Sequence, residues 1–287
     1  MQTLGQGKLQ SFTQGRNYVK STTNYNIRAY PGIEIKSYPE LVEKVAELSF
    51  YNPEQILFFR GQSREHVTTR NNTSIKPSIF RPRGVTRKSP DAALLRRRYE
   101  RLRDAEQRVV QCFRQGGLLG RDRITRSRIL QWAIIQHYEI CATPLLDVTH
   151  SLRVAASFAT ANPSAENPIV YVIAAPSLGG TISPSSEQGI QTIRLSSICP
   201  PNARRPYFQE GYLLGEYPEL TTFDEKQNYK PHEIDFGLRL LAKFHLKSGT
   251  FWDHLDFSPI PEAALFPNLR DPLFRVTERI KNELPPE

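Results

Sequence analysis

Three cysteines in 287 residues, Cys112, Cys141 and Cys199, are too few and too widely spaced for a disulfide framework or a Cys-x-x-Cys zinc or redox pair. Long apolar runs are missing as well. The longest, Ile169 to Ala175, has the length of a strand and falls far short of the roughly 18 residues that span a bilayer, so no membrane association is expected. The first residues, MQTLGQGKLQSFTQGRNYVK, lack the apolar stretch of a signal peptide, which points to a cytoplasmic protein. No G-x-G-x-x-G follows a strand, and neither a Walker A sequence nor H-E-x-x-H occurs, so dinucleotide, phosphate-loop and zincin signatures are all lacking. His137 and Cys141 are four residues apart but have no recognisable co-ligands, and no metal is expected. Apolar content, with glycine counted, is about 40%, somewhat under the usual 45–50%. With 10% aromatic residues the chain still has material for a substantial core.

What is plentiful is positive charge, and it is unevenly placed. The chain carries a net +9. Between Arg81 and Arg128 there are 15 Lys and Arg against 5 Asp and Glu, a local +10, which leaves the remainder near neutrality at −1. Such a segment is the electrostatic footprint expected of a polyanion partner, nucleic acid above all, because neutralised phosphates release counterions. It also reads as one solvated helix: Ser89-Pro90-Asp91 supplies a start, Gly116-Gly117 a stop, and Leu95, Tyr99, Leu102, Val109 and Phe113 a buried stripe. Arg96, Arg97, Arg101, Arg103 and Arg108 fall mostly outside that stripe and are the candidate contacts for nucleic acid or another acidic acceptor.

Along the chain, residues 1–30 carry few apolar anchors and read as a loosely held arm. Alternation at Ile33 to Ile35 predicts a strand, and Ser37 to Leu48 predicts a helix with Pro39 in its first turn. Gln55 to Phe59 is a strand-like run that places Arg60 at its end. A helix is predicted from about Arg126 to Ile140, with His137 and Tyr138 on its core-facing side. Thr143 to Thr149 reads as extended, Ser151 to Ala161 as a small-residue helix, and Pro168 to Ala175 as a strand. The aromatic stretch Pro206 to Leu213 predicts a strand broken at Gly211. Pro231 and Pro272 each open a predicted helix, the first to Lys247 and the second to Leu284. No repeat and no sharp composition break divides the chain, which suggests a single α+β domain.

Four ordered blocks carry a family resemblance: FFRGQ at Phe58 to Gln62, IKPSIFR at Ile75 to Arg81, IIQHYEICATPLLDVTHSLRVAASFA at Ile134 to Ala159, and RRPYFQEGYLL at Arg204 to Leu214. Together with EAALFPNL at Glu262 to Leu269 they resemble the FRG domain family. Glu139 stands where the family usually has Gly, and Val148 where it usually has Trp. The resemblance implies an arm over 1–32, an FRG domain over 33–275 and a C-terminal helix end over 276–287.

A further likeness is to mono-ADP-ribosyltransferases, whose order is an Arg on a first strand, then a hydroxyl, then a Glu on a later strand. It implies a split mixed β-sheet with helical insertions and a helical C-terminal part, with NAD as co-substrate. Under it Arg60 matches the first-strand Arg, Thr149 the hydroxyl, and Gln209 or Glu210 the catalytic position. Gly61, Gln62, His137, Tyr138 and Asp147 join Arg60 and Thr149 as candidate cofactor contacts. Nicotinamide–ribose cleavage develops positive charge on the sugar, so a carboxylate at the ribose and a guanidinium fork on phosphate suit that chemistry. If residues 206–213 form a strand, only one of Gln209 and Glu210 faces the cleft. Plainer roles stay open: Arg60 pairing with Asp147, His137 as a core histidine, Tyr138 as core.

Three functions are thus in competition. The first is an ADP-ribosyltransferase acting on nucleic acid or an acidic protein, in the manner of a toxin or anti-phage effector with an antitoxin or other regulatory partner. The second is a non-catalytic nucleic-acid-binding module, and the third an NAD glycohydrolase.

Overall fold

The computed structural model describes residues 4, 9–13, 18–82, 89–176, 179–228, 233–253 and 256–286. They gather in two units, each assembled from three chain segments. The first comprises Met1–Ile75, Val148–Leu178 and Asp235–Leu265, and the second Lys76–Asp147, Gly179–Ile234 and Phe266–Glu287. The expected α+β class with a mixed sheet is what forms.

In the first unit β3 (Ile33–Ile35), β4 (Ile56–Gln62), β6 (Ile169–Ala175) and β10 (Leu240–Leu246) lie in the order β3-β10-β6-β4. Thr149, at the end of β5 (Leu146–Thr149), pairs with Phe59. The β3–β10 pair is parallel and the others are antiparallel. Every residue of β6 is buried, which is why its sequence is apolar without alternation. Helix α2 (Tyr38–Tyr51) is capped by Ser37 and buries Leu41, Val45 and Leu48, as their spacing requires. Helix α6 (Leu152–Thr160) packs on β4, and the short α10 (Glu262–Leu265) closes this unit's last segment.

Two expectations fail in this unit. Of the supposed arm, the described residues are tied down: β1 (Leu9–Phe12) and β2 (Val19–Thr22) pair antiparallel, and Phe12 meets Phe244 edge-on at 5.9 Å. Asn24, at the start of α1 (Asn24–Ala29), donates its amide to the Gly237 and Leu240 carbonyls at 2.9 and 3.1 Å. These anchors are partly polar and invisible to hydropathy. The second failure is the helix expected to run to Lys247, because LLAKFHL is strand β10. Periodicity cannot separate a short, buried strand from a buried helix. Pro231, its expected start, lies outside the described residues.

The second unit is built on α3 (Ala92–Gln115), against which α4 (Arg121–Arg126), α5 (Arg128–His137), α9 (Phe223–Gln227) and α11 (Pro272–Glu283) pack. Leu95, Tyr99, Leu102, Val109 and Phe113 are all buried, as predicted. The cap is Asp91, whose Oδ1 accepts from Leu94 N at 2.7 Å, and Gly116 ends the helix. Strands β7 (Ile182–Ser185), β8 (Ile190–Arg194) and β9 (Gly211–Glu216) form an antiparallel meander, and α7 (Leu195–Ile198) follows β8. The helix expected over 126–140 is interrupted at Ser127 and ends at His137, with Tyr138 as its cap. The strand expected over 206–213 is instead α8 (Arg205–Phe208) followed by β9. Gln209 is therefore a helix cap, and Glu210 sits at φ 44° in the left-handed region. The alternation argument for choosing between them has no strand to act on.

Candidate functional site

In the first unit β4 presents two different faces. A Cβ on Gly61 would stand 1.8 Å from the Ala155 carbonyl oxygen and 2.8 Å from Ala159 N, so the neighbour that approaches this glycine is the α6 backbone. The alanines of α6 and the glycine of the FRG triplet are one packing device, and the proposed ligand contact at Gly61 is corrected on this ground. Thr149 pairs with Phe59 and so shares the α6 side, opposite to Arg60. It is buried, and its Oγ1 accepts from Ser151 N at 3.0 Å beside the α6 cap. Arg60 and Thr149 thus point to opposite faces of the sheet, and the structure does not bring them together as a pair.

The other face of β4 carries the fully buried Phe58 and the half-buried Arg60 and Gln62. His150 lies against Phe58, with ring centroids 4.4 Å apart. Arg60 registers with Tyr171, and Tyr171 with Lys243, so the three form a row across β4, β6 and β10. Burial pushes the Lys243 ammonium down, against the favourable charge of Glu65, which lies 2.5 Å from Nζ; Thr73 Oγ1 is at 2.6 Å. This end of the row is a completed structural network. Tyr171 is held above its ordinary pKa by burial first and by Glu65 second. Arg60 is half-buried at the β4 end of the row.

In the second unit the HY and LLD blocks meet. His137 and Gln136, consecutive at the end of α5, both address Asp147: Nδ1 of His137 lies 3.5 Å from Oδ1, and Nε2 of Gln136 donates to Oδ2 at 2.5 Å. His137 is almost fully buried, and its Nε2 has no hydrogen-bond partner among the described residues. Burial lowers its pKa more than Asp147 raises it, which favours the neutral imidazole. The Asp147 side chain is 37% exposed. His137 and Gln136 thus hold a part-exposed carboxylate. The QEG block comes to the same place, since a Cβ on Gly211 would lie 3.4 Å from Cε1 of His137. Gln209 is buried and Glu210 is exposed.

Tyr138 serves a different partner. Its hydroxyl donates to Oδ2 of the fully buried Asp271 at 2.9 Å, and Arg204 N and Arg205 N donate to the same oxygen at 3.1 and 3.0 Å. Oδ1 caps α11 through Leu273 N. Burial pushes the Tyr138 phenol far up, so it stays a neutral donor. Arg205 pairs with Glu139 at 2.7 Å, with its guanidinium over the Tyr138 and Phe266 rings. Sequence reading passed over Asp271 and Arg205. The Asp-Pro step at 271–272 was the available signal, being a cap followed by Pro at the first helical position.

The basic segment sorts its arginines by partner. Arg96 pairs with Asp224 at 2.9 Å and lies over Phe223, and Arg108 pairs with Asp104 and Glu283, both at 3.1 Å. Arg101 is half-buried and Arg97 is exposed. Of the five candidate contacts, Arg103 lines a groove of about 580 Å³ that it shares with Arg114, Arg128, Gln107, Gln111 and Gln115. Arg103, Gln107, Gln111 and Gln115 follow one i, i+4 ridge of α3. Arg114 also lines an adjoining hollow of about 250 Å³ with Arg121 and Arg126. Glu106, the groove's acidic member, is already committed to Trp132 Nε1 and to Arg128. Among the described residues no group of three or more His, Cys, Asp or Glu is arranged to hold a metal, and no helix is long and apolar enough to cross a membrane.

No curated protein and no solved structure matches the chain. A family model does, over residues 55–168, a stretch that contains the first three sequence blocks and leaves the RRPYFQEGYLL block and the tail beyond it. The glycine pressed against α6 and the Asp147 carboxylate held by His137 and Gln136 both lie within that stretch, and the chain carries an FRG domain.

Proposed function

We propose that this FRG-domain chain binds nucleic acid through the ridge and groove on α3. The observation that carries the reading is the row Arg103, Gln107, Gln111 and Gln115, flanked by Arg114. Guanidinium groups neutralise phosphates, while amides bond to phosphate, sugar or base edges. A protein partner is less suited, because the ridge lacks the aromatic and aliphatic anchors that carry protein interfaces. Anisotropy titration with RNA, single-stranded DNA and duplex DNA tests the reading. Arg103→Glu/Arg114→Glu should lose at least about tenfold in affinity, two like charges being placed against phosphates. Arg96→Glu, whose guanidinium is engaged by Asp224, should change it little. Equal losses in both variants, or no binding by the native chain, contradict the proposal.

A second reading is NAD-dependent ADP-ribosyl transfer, favoured by the Asp147 carboxylate. A part-exposed carboxylate held by His137 and Gln136 suits a ribose hydroxyl, whose polarisation helps the sugar carry positive charge as nicotinamide leaves. NAD would supply the ADP-ribosyl group. On this reading Asp147 takes the ribose-facing role expected of Glu210, and His137 and Gln136 hold it. A toxin or anti-phage role with an antitoxin partner would extend it. Incubation with labelled NAD, with and without RNA, DNA or protein, is the test. Nicotinamide release that is lost in Asp147→Asn supports transfer, or glycohydrolysis where water is the acceptor, and no release under any condition contradicts both.

A further inference from the structure

Two consecutive large aromatic residues of the second unit are exposed to solvent. Tyr207 is 48% and Phe208 51% exposed, on the four-residue helix α8. Nothing in the folding of α8 needs them outside. The helix is held by its other residues: Arg205 and Pro206 are buried, Gln209 is buried, and the Arg204 and Arg205 amides are bonded to Asp271. The Tyr207 hydroxyl donates to the Ser196 carbonyl at 3.2 Å, which fixes its ring in one orientation. An aromatic face held in this way loses little entropy on binding a flat partner, and Phe208 stands exposed next to it in the chain.

The surroundings say which flat partner fits. Arg204 is exposed at the head of the helix. Asp271, which holds α8, is also the cap of α11, and the last residue of α11, Glu283, pairs with Arg108 on α3. The platform and the α3 helix are therefore joined through the length of α11, about 18 Å for twelve residues. That is a span of about five stacked nucleotides. A groove of about 510 Å³ along α11 is lined by Arg275, Arg279 and Asn282. Its two carboxylates are engaged, Glu278 by Lys281 at 3.7 Å and Glu283 by Arg108 at 3.1 Å.

Resting on the nucleic-acid reading above, we infer that Tyr207 and Phe208 are a stacking platform for unpaired bases, so that the chain prefers single-stranded to duplex nucleic acid. In a duplex the base faces are covered by their neighbours, and only unpaired bases can stack on a side chain.

The experiment uses the full chain and a single-stranded oligonucleotide carrying 2-aminopurine, alone and annealed to its complement, at one salt concentration. The native chain should bind the single strand at least about tenfold more tightly than the duplex, with 2-aminopurine emission quenched on binding. Tyr207→Ala/Phe208→Ala should bring single-strand affinity down to the duplex level and abolish the quenching, leaving duplex affinity and thermal midpoint unchanged. Tyr207→Phe/Phe208→Tyr should keep the preference. An unchanged preference in the alanine variant, or an equal or tighter duplex complex in the native chain, overturns the platform while the α3 reading stands. Absence of binding to either form overturns both.

Discussion

Gly61 explains at the scale of one residue why a glycine follows the arginine of β4. The α6 backbone occupies the space of its side chain, with Ala155 O 1.8 Å from where a Cβ would stand. Gly61→Ala should cost more than the ~1–3 kcal/mol of ordinary overpacking, read as a lower urea midpoint. Asp271 is the counterpart in the second unit. Asp271→Ala strips an acceptor from the Tyr138 hydroxyl and two backbone amides and uncaps α11, and should cost about 3 kcal/mol in the same assay. His137 gives a pH signature. Its folded pKa lies below the ordinary 6.5, so it costs no stability above that value, where both states are neutral. As pH falls through 6.5 the unfolded chain takes up a proton that the folded chain refuses, and stability drops until the folded pKa is passed. His137→Gln should remove that part of the acid loss, and a pH–stability profile identical to the native one would contradict the burial argument.

At the scale of elements, local chemistry was legible and long-range chemistry was not. Helix α3 could be read from its stripe and its glycine stop, α2 from Ser37 and Pro39, and β6 from its apolar run. The RRPYFQEG block was misread because aromatic content favours a strand, whereas α8 is held by an aspartate 66 residues away from Arg205. Strand β10 was misread because its lysine is buried on Glu65, 178 residues distant. The candidate site divides in the same way. The sequence blocks single out Arg60, His137 and Asp147 as candidates, but that Thr149 faces α6 and that His137 contacts Asp147 are facts of register and packing. The basic residues were chosen as a cluster rather than as a ridge, which is why Gln107, Gln111 and Gln115 were overlooked. Gln107→Ala/Gln111→Ala should weaken nucleic-acid binding without altering its salt dependence, since amides displace no counterions.

Across the whole molecule the +9 charge reduces to one segment, and within that segment to a few arginines that line the α3 groove. Arg96 and Arg108 are engaged by Asp224 and by Asp104 and Glu283, so formal charge overstates the basic surface. The FRG match and the groove overlap on α3, so the basic helix belongs to the matched domain rather than to an appendage. On the proposed reading, arginines of this groove neutralise phosphates. The most direct test is the slope of log affinity against log salt for a single-stranded oligonucleotide. In Arg103→Ala/Arg114→Ala the slope should be shallower than the native one by about 1.4, two contacts at about 0.7 each. A native slope near zero, or the same slope in both proteins, would contradict it.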